Sequence, residues 1–230
     1  SDLAAMSGQR LDGKVVLVTG GTQGVGEEIA RAAATAGAAG VAITGRNRER
    51  GEQVAKAISS SGCPTLFVAG DLGDERLCRD FVAQAEARFK RIDGLVNAAG
   101  LTDRGTIENT SVELWDRLFA VNVRAPFILT QEVVRRLERD KRPGSIVNII
   151  TRSSHGGQPF LTAYSSSKGA LATLTKNVAN AVRQHRIRVN GLNIGWMDTP
   201  GEHAIKLREG QPQDWLQRAE ATQQIGRAHV

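Results

Sequence analysis

Tyr164 and Lys168 are the residues of this sequence whose types and spacing are best suited to proton transfer. They are four positions apart in a segment of helical composition, so we expect them to lie on one helix face. A tyrosine hydroxyl has a pKa of about 10 and is a weak acid–base group at neutral pH. A nearby ammonium group favours the phenolate and lowers that pKa. The pair is therefore predicted to exchange a proton with an alcohol or carbonyl, although the same spacing also occurs in ordinary helix surface pairs.

A glycine-rich loop, TGGTQGVG, follows the first apolar run and precedes a helical stretch. Strand, glycine turn and helix form the context that a dinucleotide-binding loop requires. Gly20 allows a sharp turn, Gly24 lets the backbone approach a pyrophosphate, and Gly26 lets the helix pack close to the strand. The free N–H groups at the helix start then face the phosphates. The loop is predicted to bind a dinucleotide; the alternative is a tight turn with no ligand.

The choice between two dinucleotides is predicted from the end of the second apolar run, Thr44-Gly45-Arg46. An acidic residue here would bind a ribose 2′-hydroxyl, whereas an arginine favours a 2′-phosphate. Because Arg46 and Arg48 are present and no acid is, NADP(H) is favoured, with NAD(H) as the alternative. Arg46 could instead be a solvated residue entering the next helix. Asp71 either faces the adenine ring or caps the helix that follows.

Short apolar runs alternate with helical stretches along the chain. This alternation predicts a doubly wound parallel sheet in a three-layer α/β/α arrangement, the Rossmann fold, in which ligands bind beyond the C-terminal strand ends. We expect strands at 14–19, 41–44, 65–69, 95–97, 145–150 and 188–192, and helices at 24–36, 49–60, 75–90, 112–140 with a bend near Pro126, and 162–184.

Polar or glycine residues follow each predicted strand, and their combination is specific. The segments TGGTQGVG, NAAG, YSSSK and IRVNGLNIGWMDTP, together with Asn122, make the chain from about Lys14 to Pro200 resemble the short-chain dehydrogenase/reductase family. The resemblance implies an oxidoreductase that interconverts an alcohol and a carbonyl by hydride transfer with a nicotinamide cofactor. It also implies that a cationic oxidised nicotinamide ring adds to the effect of Lys168 on Tyr164.

The resemblance implies a catalytic set of Asn122, Thr151, Tyr164 and Lys168. Tyr164 is the acid–base group, and Lys168 also binds the nicotinamide ribose. Asn122 maintains a bend in its helix and holds a water molecule for proton relay. Thr151 falls where the family has serine, and it retains the hydroxyl that holds the substrate oxygen. Ser153 is a candidate substitute whose offset fits less well.

The resemblance also implies the residues that hold the cofactor. They include Tyr164 and Lys168, and the others are Gly20, Thr22, Gln23, Gly24, Val25, Gly26, Arg46, Asp71, Leu72, Asn97, Ala98, Gly100, Gly195, Met197 and Thr199. Ile194 replaces the family's usual proline, but Gly195 and Thr199 keep the nicotinamide-binding pattern.

The substrate pocket is predicted less sharply. The segments that would border it contain Ser153, His155, Gln158 and Trp196. Their mixed polar and apolar character suits a polyol, a sugar or a cyclic ketone, and the alternative for each is simple loop packing.

Composition excludes several other classes of function. The chain has 230 residues, a net charge of +6 and only 4% aromatic residues, so base-stacking nucleic-acid binding is not expected. Cys63 and Cys78 fit no metal-ligand spacing and are predicted to be buried free thiols, and we expect no metal site. No run of about 18 apolar residues suggests a membrane span. We expect a cytoplasmic location, a small alcohol or ketone as substrate, and a homodimer or homotetramer.

We expect residues 1–230 to form a single domain, with a flexible lead-in at 1–12 and a substrate loop and helix region at 200–230. The family continues into a further strand, which this chain is predicted to lack. The final residues, IGRAHV, match one reading frame of a widely used sequencing adapter, so we expect the natural chain to be longer. A genuinely shortened family member is the alternative. A non-catalytic nicotinamide-binding regulator and an inactive fragment are the rival functional interpretations.

Overall fold

A six-stranded parallel sheet forms the centre of the protein in the computed structural model, which describes residues 10–221 and 226–227. Its strand order is β3-β2-β1-β4-β5-β6. The strands are β1 (Val15–Thr19), β2 (Gly40–Gly45), β3 (Thr65–Ala69), β4 (Gly94–Asn97), β5 (Gly144–Thr151) and β6 (Ile187–Ile194). This order confirms the predicted doubly wound Rossmann fold. The direction of strand progression reverses between β1 and β4, where such folds open a ligand crevice.

Helices cover both faces of the sheet because successive strand side chains point to opposite sides. Val16 and Val18 of β1 pack with α1 and α2 on one face, while Leu17 packs with α3, α5 and α6 on the other. Both faces of β1 are therefore buried, which explains its continuous apolar sequence. The helices are α1 (Gly24–Thr35), α2 (Arg48–Ser60), α3 (Glu75–Phe89), α4 (Val112–Phe119), α5 (Ala125–Arg139), α6 (Thr162–Val182), α7 (Pro200–Arg208) and α8 (Trp215–Glu220).

A π-helical turn, Ala120–Arg124, interrupts the long helical region predicted at 112–140 and separates α4 from α5. Pro126 lies in the first turn of α5, where its missing N–H is tolerated and its fixed φ suits a helix. The interruption thus ends two residues before Pro126, and it is a wider turn that contains Asn122.

Four strands, β2, β4, β5 and β6, are longer than the apolar runs that predicted them, and β6 is extended most. β5 and β6 pair along their full lengths, from Gly144 opposite Ile187 to Thr151 opposite Ile194. Thr151 and Ile194 therefore lie inside the sheet, at the ends of their strands, rather than in the loops that follow. Cys63 and Cys78 are buried free thiols, as predicted.

The predicted lead-in is partly ordered. Residues 1–9 lie outside the described residues, but Leu11 donates from its backbone to the Ala36 carbonyl at 2.8 Å, and Asp12 pairs with Ala38. At the other end, α7 and α8 lie in the region 200–230, where a substrate loop and helix region was predicted. Residues 222–225 and 228–230, which include most of the IGRAHV segment, also lie outside the described residues.

The main sheet ends at β6 within the described part of the chain. A separate parallel pair joins β7 (Met197–Asp198) to β8 (Gly226–Arg227). Across the residues that the structure covers, no helix has the length and apolar character needed to cross a membrane.

Candidate active site

A cleft of about 1110 Å³ opens at the C-terminal ends of the strands. Its walls come from the loops that follow the strands and from α6 and α7. All of the site residues predicted from the sequence line this cleft except Asn97, Asn122 and His155. The fold thus brings together residues that are up to about 180 positions apart, from Gly20 to Thr199, because parallel strands end at one edge of the sheet.

The glycine loop forms a cradle that larger residues would fill. Gly20 has a φ of +66° and Gly24 a φ of +54°, a region that side-chain-bearing residues rarely adopt. A Cβ at Gly20 would lie 2.8 Å from the Ala99 Cα, and one at Gly26 would lie 2.2 Å from the Gly20 carbonyl oxygen. Glycine is therefore required by close backbone packing at two of these positions.

The start of α1 is left without a side-chain cap. Gln23 occupies the cap position and its side chain makes no capping hydrogen bond. In contrast, Asn47 caps α2 and Asp74 caps α3. The first N–H groups of α1 consequently face the cleft with the positive end of the helix dipole, which suits a phosphate.

Two arginines line the cleft beyond β2, and one of them was not predicted. Arg46 and Arg50 both lie in the wall. Arg48, which the sequence also suggested, pairs with Glu52 at 3.6 Å and does not line the cleft. Arg50 was missed because it lies one helical turn into α2, where a charged residue usually indicates only a solvated face.

Asp71 lines the cleft and does not cap α3, because Asp74 fills that role. Its carboxylate accepts from the Gly73 N–H and pairs with Arg117, each at 2.7 Å. Burial by itself would raise the pKa of Asp71, but the hydrogen bonds from Arg117 and Gly73 hold it below its ordinary value. Arg117 also lines the cleft and was not predicted from the sequence.

Tyr164 lies on α6 and faces the cleft. Burial is the main influence on its hydroxyl and raises its pKa, and the charge of Glu202 acts in the same direction. The Thr151 hydroxyl opposes them and lowers the pKa. The predicted lowering of this pKa by Lys168 is not among the influences, and burial prevails.

Lys168 lies one turn further along α6 and is buried. Its Nζ donates to the Ile149 carbonyl oxygen of β5 at 2.9 Å. Burial disfavours the ammonium form and lowers the pKa of Lys168 to about 8. The side chain is fixed against the end of the sheet, beside the bottom of the cleft.

Asn122 is fully buried in the π-helical turn and does not line the cleft. Its amide donates to the Leu101 carbonyl at 2.9 Å and to the Ser167 hydroxyl at 3.0 Å. Its amide oxygen accepts from the Leu101 N–H at 2.8 Å. Asn122 thus ties the loop after β4 to the helix that carries Tyr164.

Two further predicted residues lie away from the cleft surface. The Asn97 amide is buried and donates to the Asn148 side chain at 2.8 Å, so it joins β4 to β5. His155 is exposed at the end of a short 3₁₀ turn and does not line the cleft. The assignment of these two residues to the cofactor and substrate sites stays a prediction.

Arg104 and Glu202 line the cleft near Tyr164, and sequence reasoning missed both. Glu202 follows Thr199 by three positions, a pattern that reads as a helix cap. The Thr199 hydroxyl does accept from the Glu202 N–H at 3.2 Å. The capping pattern was the visible signal, and it gave no indication of the contact with Arg104 at 3.4 Å, which depends on the tertiary fold.

The comparisons with known proteins agree with this geometry. The family model for short chain dehydrogenases matches residues 14–210. Sorbitol dehydrogenase of Cereibacter sphaeroides is 33% identical over 221 residues, covering 95% of this chain and 84% of that protein. Gluconate 5-dehydrogenase of Gluconobacter oxydans strain 621H is 34% identical over 215 residues, covering 94% of this chain and 81% of that protein.

A solved structure of a family member is also similar to this chain. The crystal structure of a short chain dehydrogenase from Burkholderia cenocepacia J2315 in complex with NADP has a TM-score of 0.82 and 30% identity, covering 95% of this chain and 87% of that chain. The strand order, the glycine cradle and these matches lead to one conclusion: the chain belongs to the short-chain dehydrogenase/reductase family of oxidoreductases.

Proposed function

We propose that this protein is a nicotinamide-dependent dehydrogenase or reductase that interconverts an alcohol and a carbonyl, with NADP(H) preferred over NAD(H). The observation that carries the proposal is that Tyr164 and Thr151 line the same cleft as the glycine loop. An acid–base group and a dinucleotide cradle are the two components that hydride transfer to a carbonyl requires.

The residues present fit a dinucleotide cofactor. The glycine cradle would admit a pyrophosphate against backbone, and the uncapped start of α1 supplies N–H donors for it. Arg46 and Arg50 would hold a 2′-phosphate, and Asp71 lies where the adenosine end would rest. The Burkholderia cenocepacia relative with NADP bound supports the same assignment.

The chemistry divides between the cofactor and this chain. A bound nicotinamide supplies the hydride acceptor or donor. Tyr164 takes the proton of the alcohol during oxidation and returns it to the carbonyl oxygen during reduction. Thr151 holds that oxygen with its hydroxyl, and Lys168 supplies a fixed amine beside the ribose position. Asn122 acts through Ser167 and Leu101, so we propose it as a positioning residue.

The test is Tyr164→Phe, which removes one hydroxyl and keeps the ring. We expect kcat/KM to fall by about 10²-fold to 10⁴-fold because the general acid–base group is lost. NADPH binding, followed by fluorescence titration, should persist because the cradle is untouched. Ser166→Ala is the matched control, since Ser166 is exposed on the same helix and its hydroxyl bonds only to the Thr162 carbonyl.

A Tyr164→Phe rate within a few-fold of the wild-type rate would contradict the role assigned to the phenol. Cofactor binding by the wild-type protein without turnover of any alcohol or ketone would favour a regulatory binding protein instead.

A further inference from the structure

The carboxylate of Glu202 is held in place at the substrate end of the cleft. Its side chain is only 14% exposed. The Trp196 indole N–H donates to its Oε1 at 2.9 Å, and an Arg104 N–H donates to the same oxygen at 3.4 Å. The Lys206 Nζ lies 3.9 Å from the same Oε1 atom of Glu202. Three groups thus fix the position of one carboxylate oxygen.

The second oxygen of Glu202, Oε2, accepts no hydrogen bond from the described residues. Glu202 lines the cleft, so its carboxylate is an anchored acceptor in the wall where a ligand would bind. A carboxylate oxygen accepts hydrogen bonds and, when ionised, donates none.

Gln158 provides an independent observation of the same kind. Its Oε1 is buried and has no hydrogen-bond partner in the described part of the chain. Gln158 also lines the cleft. A buried acceptor without a donor costs about 1–3 kcal/mol, so a site that retains one is suited to a ligand that brings a donor.

Glu202 and Gln158 line the same cleft as Thr151 and Tyr164. The charge of Glu202 acts on the Tyr164 phenol, and Gln158 belongs to the chain segment between Thr151 and Tyr164. We therefore assign both acceptors to the substrate-binding part of the cleft.

We propose that Glu202 and Gln158 form a hydroxyl-binding subsite that selects neutral polyols or polyhydroxy ketones, which carry a further hydroxyl next to the reacting carbon. This inference rests on the proposed function and names its substrate class. A hydroxyl donates to each acceptor, whereas a simple alcohol leaves both without a donor and a carboxylate is repelled by Glu202. The subsite therefore disfavours sugar acids as well as simple alcohols.

The experiment compares matched substrates with the wild-type protein and NADP⁺. The pairs are trans-1,2-cyclohexanediol against cyclohexanol, and sorbitol against gluconate. We expect wild-type kcat/KM for the diol to exceed that for the mono-alcohol by about 10-fold or more, the effect of a hydrogen bond to a charged acceptor. Glu202→Gln should reduce this ratio by at least about fivefold, mainly through KM. It should also reduce the preference for sorbitol over gluconate.

The ratio is the decisive quantity because Glu202→Gln also changes the charge near Tyr164, which affects both substrates of a pair alike. Glu209→Gln is the matched control. Glu209 pairs with Arg104 and Lys206 as Glu202 does, but it does not line the cleft, so its variant should keep the wild-type ratio.

Gln158→Leu provides a second test that does not depend on the ion pair. The Gln158 side-chain oxygen has no protein donor to lose, and its removal relieves the cost of an unpaired acceptor. The variant should therefore melt at or above the wild-type temperature and still lose the preference for the diol. Turnover with unchanged ratios in both variants would overturn the hydroxyl subsite alone. Cofactor binding without turnover of any substrate would overturn the proposed function, and the subsite with it.

Discussion

Thr151 at the end of β5 and Tyr164 on α6 line the same cleft, and the Thr151 hydroxyl lowers the pKa of the Tyr164 phenol. This influence opposes burial and the charge of Glu202, which both raise that pKa. The threonine thus supplies a hydroxyl that favours the phenolate form of the tyrosine.

Replacing Thr151 with Ala should raise the apparent pKa of the base in the pH profile of kcat/KM. The variant loses the hydrogen bond that favours the phenolate, so the alkaline form of Tyr164 is reached at higher pH. We expect kcat/KM near neutral pH to fall by about 10-fold or more.

Thr151→Ser is the control, because serine keeps the hydroxyl and loses only a methyl group. It should show the wild-type pH profile. Equal profiles for the alanine and wild-type proteins would contradict a role for the Thr151 hydroxyl in setting the state of Tyr164.

Lys168 should make folding stability depend on pH. Its pKa in the folded protein is about 8, below the ordinary value of 10.5. Between these values the unfolded chain binds more protons than the folded one, so stability rises with pH and is lost as pH falls from about 10.5 to about 8. Lys168→Met removes this cost. The free energy of unfolding of the variant minus that of the wild type should therefore be about 2 kcal/mol larger at pH 7 than at pH 10.

Urea denaturation at the two pH values measures this difference. Lys176→Met is the control, since Lys176 is exposed on the same helix. Parallel pH dependences for Lys168→Met and wild type would show that the amine is not buried as the structure has it. Turnover by Lys168→Met should be low at both pH values, which separates the catalytic contribution from the stability cost.

Local spacing made the cofactor loop and the Tyr164–Lys168 pair predictable. A glycine turn between strand and helix, and an i,i+4 pair on α6, are each contained in a few consecutive residues. The sheet was predictable for a similar reason, because buried parallel strands are continuous apolar runs.

The remaining site residues depend on the tertiary fold. Glu202 and Arg104 meet only when α7 folds over the loop after β4, and Arg117 meets Asp71 only across the gap between α4 and the loop after β3. The π-helical turn that interrupts the long helix was not predicted because such a turn has no residue signature comparable to proline.

Arg46→Ala should weaken the binding of NADP⁺ far more than the binding of NAD⁺. Arg46 lines the cleft beyond β2, and loss of one charge-assisted contact to a phosphate is expected to cost about 1.5–3 kcal/mol, or about 10-fold to 100-fold in Kd. NAD⁺ has no 2′-phosphate, so its Kd should change less than about threefold.

The chain offers a matched control two positions away. Arg48 carries the same charge but pairs with Glu52 and does not line the cleft, so Arg48→Ala should leave both affinities unchanged. Arg50→Ala should act in the same direction as Arg46→Ala. An equal loss of NADP⁺ and NAD⁺ affinity in Arg46→Ala would refute the 2′-phosphate assignment.

Asp93 should contribute stability that depends on its ionisation. Its side chain is 7% exposed and accepts hydrogen bonds from Arg91, from Arg142 and from the Val15 N–H. Burial alone would raise the pKa of Asp93, but these donors hold it below the ordinary value of 3.8. The carboxylate therefore stabilises the fold above that value, and this contribution is lost as pH falls through the lower folded pKa.

Asp93→Asn keeps the shape and removes the charge that Arg91 and Arg142 share. We expect it to lower the free energy of unfolding by about 3 kcal/mol at pH 7, because two arginines are left without their carboxylate. Asp140→Asn is the control, since the ion pair of Asp140 with Arg139 lies on the surface and should contribute little to stability. Urea denaturation at pH 7 and near pH 3 should show the Asp93→Asn deficit shrinking with acid, whereas a deficit independent of pH would mean that shape, and not charge, sets the role of Asp93.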